Sequence, residues 1–218
     1  MDFIFQEVLP HLIQGLWVSI ALIIPSALFG IIIGIIVGSL RVYAPPALKK
    51  ATGLYVLIFR GFPLIVQLYI WYFGMPHIGV FLSPFAAAVT GFSLCSGAYH
   101  SEYVRGAIQS IKSGQMQAAE AIGFSKIKAV LYIILPQAFR RTLPGSSNEF
   151  IYLIKYSSLA YMVTCLELTG EGKVLASLTF RYTEVFLMVG VIYLLMNSIA
   201  SFALKRLEIA LEIPGWSD

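Results

Sequence analysis

The chain has 218 residues, of which 58% are hydrophobic and 12% charged, and its formal net charge is +4. Soluble domains have about a quarter of their residues charged, so these few polar groups cannot cover a soluble fold. Disorder and a nucleic-acid-binding module with a basic surface are excluded on the same grounds. Two cysteines are too few for a disulfide framework and lack the spacing of metal ligands. The remaining class is an integral membrane protein.

Five segments are long and apolar enough to span a membrane, which takes about 20 residues of helix. We therefore predict an all-α integral membrane protein with five transmembrane helices. The predicted spans cover residues 12–40, 54–73, 81–110, 143–163 and 185–204. Together they form a transmembrane domain over residues 12–206, which contains a long loop at 112–142 and is followed by a tail at 207–218.

The basic residues predict the orientation of these spans, because Lys and Arg accumulate in cytoplasmic loops. One side of the predicted bundle carries only Lys173 and Arg181. The other side carries ten basic residues: Arg41, Lys49, Lys50, Lys112, Lys126, Lys128, Arg140, Arg141, Lys205 and Arg206. The N-terminus is therefore expected outside, with the long loop and the C-terminus in the cytoplasm. The net charge is mostly a topology signal and requires no anionic partner.

The loop at 112–142 far exceeds a typical connection of about 4–6 residues. Ser113 is expected to cap a short helix with apolar residues at every third position, and Gly123 suits its left-handed end. A second helix is expected from Ser125 to Leu135, before Pro136. The short first helix would either lie on the lipid surface or dock into a groove on a soluble partner.

Four motifs are spread over nearly the whole chain. In order they are Phe59-Arg-Gly-Phe-Pro-Leu-Ile-Val-Gln67, Glu102-Tyr-Val-Arg-Gly-Ala-Ile108, Gly114-Gln-Met-Gln-Ala-Ala-Glu-Ala-Ile-Gly123 with Ile134-Leu135-Pro136, and Asn148-Glu-Phe-Ile-Tyr-Leu-Ile-Lys-Tyr-Ser-Ser158. The third motif resembles the EAA loop of binding-protein-dependent ABC importer permeases. The other three are similar to the branch of that family that serves polar amino acids of the histidine, glutamine and arginine type.

This resemblance implies a type I permease fold in the cell membrane, plasma or inner. It implies a second permease subunit (identical or a sister), two cytoplasmic ATPase subunits, an extracytoplasmic amino-acid-binding protein and an amino-acid substrate. No cofactor is expected on this chain, since ATP and Mg²⁺ are used by the ATPase partners. The loop helix would be the coupling helix that docks into the ATPase, through Gln117, Ala118, Ala119, Glu120 and Gly123. Gln117 stands where the family usually has Glu, so a salt bridge at that position is not expected.

The fourth predicted span is the candidate translocation path. Asn148, Tyr152 and Lys155 share one helical face. A zwitterionic amino acid needs a donor for its carboxylate, such as Lys155 or a serine, and an acceptor for its ammonium, such as Glu149. The candidate path or substrate residues are Asn148, Glu149, Tyr152, Lys155, Ser157 and Ser158. The alternative is that Glu149 and Lys155 neutralise partners on other helices and never contact substrate.

Other polar groups within the spans are expected to have gating or structural roles, since charges there are costly. Glu102 and Arg105 are three residues apart and are predicted to form an ion pair. Arg60, followed by Pro63, marks either a flexible point or a tolerated kink, and Gln67 belongs to the same motif.

Two further patterns carry structural expectations. Gly30, Gly34 and Gly38 form a stripe of small residues that is expected to pack within this chain, although a dimer contact is the alternative. Residues 165–184 form a predicted external loop with five charged groups, expected to be solvated or to contact a binding protein. These groups are Glu167, Glu171, Lys173, Arg181 and Glu184.

Two other classes of protein compete with a transporter subunit. An intramembrane enzyme would need a local constellation, but His100, Ser101 and Glu102 are neighbours that point to different helical faces. The sequence also has no Gly-x-x-x-x-Gly-Lys-Ser/Thr loop for ATP. A passive channel or small secondary transporter would not need the structured cytoplasmic loop.

Overall fold

The computed structural model describes residues 8–211, and these residues are helical with no strand among them. The all-α prediction is confirmed. Residues 1–7 and 212–218, which include most of the predicted tail, lie outside the described residues. The α-helices are α1 Leu9–Tyr43, α2 Pro46–Gly61, α3 Leu64–Tyr69, α4 Pro84–Ser110, α5 Gly114–Ala121, α6 Lys126–Ala129, α7 Leu135–Tyr156, α8 Leu168–Thr179 and α9 Tyr182–Leu211.

Two of the described helices, α1 and α9, are each long and apolar enough to cross a membrane. A third crossing is obtained if Pro46–Gly61 and Leu64–Ile78 are counted as one span, but these two segments are bent by 104°. Residues 54–73, predicted as one span that Arg60 and Pro63 interrupt, are therefore divided between two helices that meet at a sharp bend. The helix ends because Pro63 has no N–H and disfavours the α conformation at Phe62, whose ψ is 138°.

The helix that contains the fourth predicted span begins earlier than that span. The helix begins at Leu135 rather than at residue 143, and Pro144 lies inside it. The second loop helix does not end before Pro136, because Lys126–Ala129 continues through a π-helical turn, Val130–Ile134, directly into α7. Pro136 is the second residue of α7, which begins directly after this π-helical turn. After Tyr156 the chain tightens into a 3₁₀ segment, Ser157–Val163.

Helices α1 and α4 pack closely along the glycine stripe of α1. A Cβ atom placed on Gly30 would lie 2.8 Å from the Oγ of Ser96, and one on Gly38 would lie 2.8 Å from the carbonyl oxygen of Ser101. A Cβ on Gly34 would collide with the Cβ of His100. The prediction that the stripe packs within this chain is confirmed.

The N-terminus of α8 is fixed by a buried carboxylate. Glu167 accepts hydrogen bonds from the backbone N–H groups of Thr169 (2.9 Å) and Gly170 (3.0 Å) and from the hydroxyls of Tyr193 (2.8 Å) and Ser19 (3.4 Å). Because Ser19 belongs to α1 and Tyr193 to α9, Glu167 joins three helices. We call this arrangement the α8 clasp.

The α8 clasp corrects one expectation for the predicted external loop. Glu167 and Glu171 are buried rather than solvated, and Glu171 pairs with His11 of α1, with 3.2 Å between its Oε2 and the histidine Nδ1. Burial raises the pKa of Glu167, although the hydrogen bonds that it accepts oppose this shift. Lys173 and Glu184 are exposed, as expected of loop charges.

Candidate functional site

One face of α7 carries an exposed row of polar and aromatic side chains. Asn148, Tyr152 and Lys155 are all exposed, which confirms that they share a face. The Nζ of Lys155 lies 4.3 Å from the ring centroid of Tyr152, and the rings of Tyr152 and Tyr156 stack with their centroids 6.0 Å apart. We call Asn148, Tyr152 and Lys155 the α7 face. It presents an ammonium group over an aromatic ring, and a side-chain amide one helical turn before that ring.

The two serines that follow α7 use their hydroxyl hydrogens on the backbone. Ser157 is buried and donates to the carbonyl oxygen of Ile154 at 2.7 Å. Ser158 donates to the carbonyl oxygen of Lys155, also at 2.7 Å. Neither hydroxyl is therefore free, in this arrangement, to donate to a carboxylate on the α7 face.

Glu149 lies on a different side of α7 from the α7 face and is 2% exposed. Its Oε1 has no hydrogen-bond partner among residues 8–211. The polar side chains that act on it electrostatically are Ser96 of α4 and Arg60 of α2. A buried carboxylate oxygen without a donor is costly, since most buried polar atoms in folded proteins are hydrogen-bonded.

Two tyrosines of α4 also belong to this region, and sequence reasoning missed them. The guanidinium carbon of Arg60 lies 4.9 Å from the ring centroid of Tyr99. One turn further along α4, the ring of Tyr103 fills the space beside Gly145 of α7, where a Cβ would lie 2.8 Å from it. Aromatic residues in an apolar helix are typical of packing. The one signal in the sequence is the four-residue spacing of these tyrosines, which equals that of Tyr152 and Tyr156.

The break between α2 and α3 is bridged by a buried amide. The Nε2 of Gln67 donates to the carbonyl oxygens of Phe59 and Phe62, each at 3.0 Å. These carbonyls belong to the end of α2, where the helix leaves acceptors unsatisfied. Gln67 therefore stabilises the bend at Pro63 and has a structural position, which the sequence motif alone could not assign.

Glu102 of α4 contacts three arginines. The predicted pair with Arg105 is confirmed, with 2.7 Å between the arginine Nη2 and the glutamate Oε2. Arg41 of α1 also pairs with Glu102, and the Nη1 of Arg60 lies 3.7 Å from its Oε1. Three guanidinium groups and one carboxylate leave an excess of two positive charges, beside a cavity of about 410 Å³ that Arg41, Arg60, Tyr99 and Glu102 line.

The short helix of the predicted cytoplasmic loop is present as α5, and it is largely exposed. Gln117, Ala118, Glu120 and Gly123 are exposed, whereas Ala119 is buried. Gly123 has a φ of +89°, which confirms the left-handed helix end. The expected cap by Ser113 is wrong, because its side chain makes no capping hydrogen bond and its backbone is helical.

At the end of α5, Ile122 is 74% exposed. The Oγ of Ser125 does cap the next helix, as expected, by accepting from the N–H of Lys128 at 3.5 Å. The loop thus presents a short, fixed helix that has an apolar side chain at its tip.

The sequence matches the family model of the binding-protein-dependent transport system inner membrane component over residues 30–212. The chain belongs to this family.

Curated relatives of this family cover almost the whole chain. It is 36% identical over 208 residues to the probable amino-acid permease protein YxeN of Bacillus subtilis (94% of this chain, 93% of the relative). It is 35% identical over 211 residues to the glutamine transport system permease protein GlnP of Escherichia coli (94% of each).

Solved structures agree with this family. A chain in the crystal structure of an amino acid ABC transporter with histidines superposes with a TM-score of 0.83 at 30% identity, covering 92% of this chain and 94% of that one. A chain of the inward-facing MetNI methionine ABC transporter gives a TM-score of 0.82 at 24% identity, covering 95% of this chain and 99% of that one, and shows the common fold.

This binding-protein-dependent transport component is a multi-pass membrane permease subunit of an ABC importer, which confirms the resemblance seen in the sequence. The comparisons do not favour an intramembrane enzyme, a passive channel or a small secondary transporter.

Proposed function

We propose that this permease subunit carries polar amino acids through a path lined by the α7 face. The observation that carries the proposal is the exposure of Asn148, Tyr152 and Lys155 on one side of a helix whose other sides are packed. The similarity to amino-acid permeases supports the class of substrate.

In this proposal the α7 face binds the carboxylate of the substrate. The ammonium group of Lys155 and the amide of Asn148 are donors, and the ring of Tyr152 keeps the lysine in place. The unpartnered oxygen of Glu149 is the acceptor for the substrate amine, reached when the neighbouring α4 and α2–α3 segments move. Arg60 acts electrostatically on Glu149 and pairs with Glu102. In this proposal it limits the passage of substrate beyond these two glutamates.

The proposed topology has five crossings, formed by α1, the bent α2–α3 pair, α4, α7 and α9. The N-terminus lies outside and the C-terminus in the cytoplasm, as the distribution of basic residues favours. The transmembrane domain covers residues 12–206, with the coupling loop at 112–142 and the tail at 207–218. A type I permease arrangement is supported by the similarity to transporter structures.

The proposed partners are two cytoplasmic ATPase subunits, a second permease subunit and an extracytoplasmic binding protein. We propose that α5 docks into the ATPase through Gln117, Ala118, Glu120 and Gly123, and that Ile122 fills an apolar pocket there. Buried Ala119 holds α5 against the rest of the chain. This chain binds no cofactor of its own, and the ATPase partners use ATP and Mg²⁺. When they close, the two α5 helices approach and the spans turn outward to receive substrate.

Uptake of radiolabelled amino acids into proteoliposomes tests the path. Separate complexes would contain the wild-type chain, the Lys155→Met variant or the Tyr152→Ala variant. A complex with the Arg206→Met variant would be the control. Arg206 makes a similar contact with a ring, 5.1 Å from the centroid of Phe202, but lies on α9. We expect the uptake rate to fall at least tenfold with each α7 variant and to stay at the wild-type level with the control. Unchanged uptake in an assembled complex with both α7 variants would refute the path.

Docking is tested separately by co-purification of the ATPase subunit. Gly123→Val should release it, because a β-branched residue is strained at a φ of +89°. Gly79→Val is the matched control, since Gly79 has a φ of +83° and, like Gly123, would place a Cβ in open space. The docking proposal fails if the two variants retain equal amounts of ATPase.

A further inference from the structure

An apolar groove lies between the C-terminal half of α1 and the segment that joins α6 to α7. It has a volume of about 400 Å³, and its apolar wall includes Ile35, Ile36, Leu40, Ile127, Val130 and Leu131. A second cavity of about 280 Å³ shares Ile35, Leu131 and Leu135 with it and continues toward α4. The two cavities are therefore neighbours with a shared apolar wall.

Two polar groups of this groove are suited to a ligand. Lys126 is exposed and lines the groove at the start of α6. Ser39 also lines it, and its buried Oγ has no hydrogen-bond partner among residues 8–211. A buried hydroxyl in an apolar wall is costly unless a molecule from outside the chain accepts a hydrogen bond from it.

The exposed side chains of this segment indicate an apolar environment. Ile127 is 73% exposed and Leu131 is 52% exposed, and the exposed residues Lys126 and Lys128 flank Ile127. Apolar side chains next to lysines are typical of a segment at the boundary between acyl chains and headgroups. With the proposed orientation this boundary is that of the cytoplasmic leaflet, which contains anionic lipids.

A protein segment fits this groove less well than a lipid does. A peptide would bring a backbone N–H and C=O at every residue, and the groove offers few groups to pair with them. An acyl chain has no such groups and matches the apolar wall. The phosphate of an anionic headgroup matches Lys126, and an ester carbonyl matches the unpartnered hydroxyl of Ser39.

We infer that this groove binds one acyl chain of an anionic phospholipid, with Lys126 on the phosphate and Ser39 on an ester carbonyl. The inference goes beyond the proposed function, and it rests on that proposal only for the choice of leaflet. It concerns a lateral surface of the bundle and not the translocation path.

The test is native mass spectrometry of the assembled complex, taken from nanodiscs that contain equal amounts of phosphatidylglycerol and phosphatidylcholine. We expect the wild-type complex to retain phosphatidylglycerol selectively. Leu131→Trp, which fills the groove, should abolish this retention. Lys126→Gln, which keeps an exposed polar side chain, should weaken retention about fivefold, as expected for one lysine near an anionic lipid.

Two matched controls separate the groove from general lipid contact. Leu187→Trp places the same ring on the exposed surface of α9, and Lys49→Gln removes an exposed lysine of α2 on the same side. Both should retain phosphatidylglycerol as the wild type does. Equal retention by Leu131→Trp and Leu187→Trp would overturn the lipid site, and equal retention by Lys126→Gln and Lys49→Gln would overturn the role of the phosphate.

A second copy of the chain is the competing occupant. Disulfide cross-linking through Leu131→Cys to a neighbouring permease subunit would show that the groove is a protein interface and would also overturn the inference. Failure of the amino-acid path would leave these lipid measurements unchanged, because they do not depend on uptake.

Discussion

Glu167 and Glu149 are both buried within the helix bundle, but their surroundings differ. Glu167 accepts four hydrogen bonds, from two backbone N–H groups and two hydroxyls. The Oε1 of Glu149 accepts none from the described residues. The fold therefore accounts for the burial of the first carboxylate but not for that of the second. A buried group that the fold leaves unsatisfied is a candidate for function, whereas a satisfied one is part of the framework.

The two glutamates also differ in what surrounds them in the chain. The α8 clasp joins α1, α8 and α9, so Glu167 fixes helices relative to one another. Glu149 lies between α7 and α4, close to Arg60 and the break at Pro63. The region around Glu167 is held in place by hydrogen bonds, whereas the region around Glu149 has a helix bend and a buried carboxylate oxygen without a hydrogen-bond donor among the described residues. The following variants test that contrast.

The largest effect is expected from Glu167→Ala. It removes the cap of α8 and leaves two hydroxyls without their acceptor, which should lower the free energy of unfolding by about 3 kcal/mol. For a chain of this size that corresponds to a decrease in Tm of about 8 °C in a thermal unfolding measurement. Glu171→Ala is the control and should lower the free energy of unfolding by less, because the Glu171 carboxylate has one partner among residues 8–211, His11. A smaller decrease in the free energy of unfolding for Glu167→Ala than for the control would show that Glu167 is not a main support of the framework.

Glu149→Gln is expected to separate function from stability. The amide keeps the shape of the side chain but cannot bind the substrate amine as a carboxylate does, so uptake should fall about tenfold, equivalent to about 1.4 kcal/mol. The Tm should be unchanged or higher, because Glu149 forms no salt bridge with any residue among 8–211. Glu184→Gln, on an exposed residue, should change neither quantity. A marked decrease in Tm with Glu149→Gln would show that this glutamate, like Glu167, is a structural part of the framework.

Gln67→Leu tests whether the bend itself belongs to the framework. It removes two hydrogen bonds to the end of α2 and should lower the free energy of unfolding by about 1 kcal/mol. Gln137→Leu is the control, because that amide makes one local bond to the carbonyl oxygen of Ile133. Thermal unfolding of the two variants decides the question, and an equal Tm for both would show that Gln67 does not support the bend.

The smallest effect concerns pH. The pKa of Glu167 is raised in the folded chain, so the folded state binds its proton more tightly than the unfolded state does. Its contribution to stability is therefore complete below the ordinary glutamate pKa of about 4.3 and is lost as the pH rises toward the raised value. Glu167→Gln should reduce this part of the dependence of Tm on pH. An unaltered pH profile would show that Glu167 does not titrate in that range.

Helical class and local features were predictable from the sequence. The glycine stripe, the pair of Glu102 with Arg105 and the exposed α7 face depend on spacing within one helix, and spacing is visible in the sequence. The position of the left-handed Gly123 was predictable for the same reason.

The features that sequence reasoning missed depend on contacts between distant elements. Arg41 and Arg60 reach Glu102 from other helices, and Glu167 is buried because Ser19 and Tyr193 meet it. The start of α7 was missed because the second loop helix was predicted to end before Pro136 and the fourth span to begin at residue 143. In the structure Pro136 is the second residue of α7, and Pro144 lies within the helix, where proline is tolerated in membrane proteins.

Because α7 continues without interruption from the loop to Tyr156, it has the mechanical properties of a rod. Leu135 and Lys155 are 20 residues apart, which is about 30 Å along the axis. A rotation of about 10° at one end then displaces the other by about 5 Å over this length. The π-helical turn at Val130–Ile134 is the joint where such a rotation would begin. In the proposed mechanism, a small movement of α5 would thereby be amplified into a displacement comparable to the width of an amino-acid side chain.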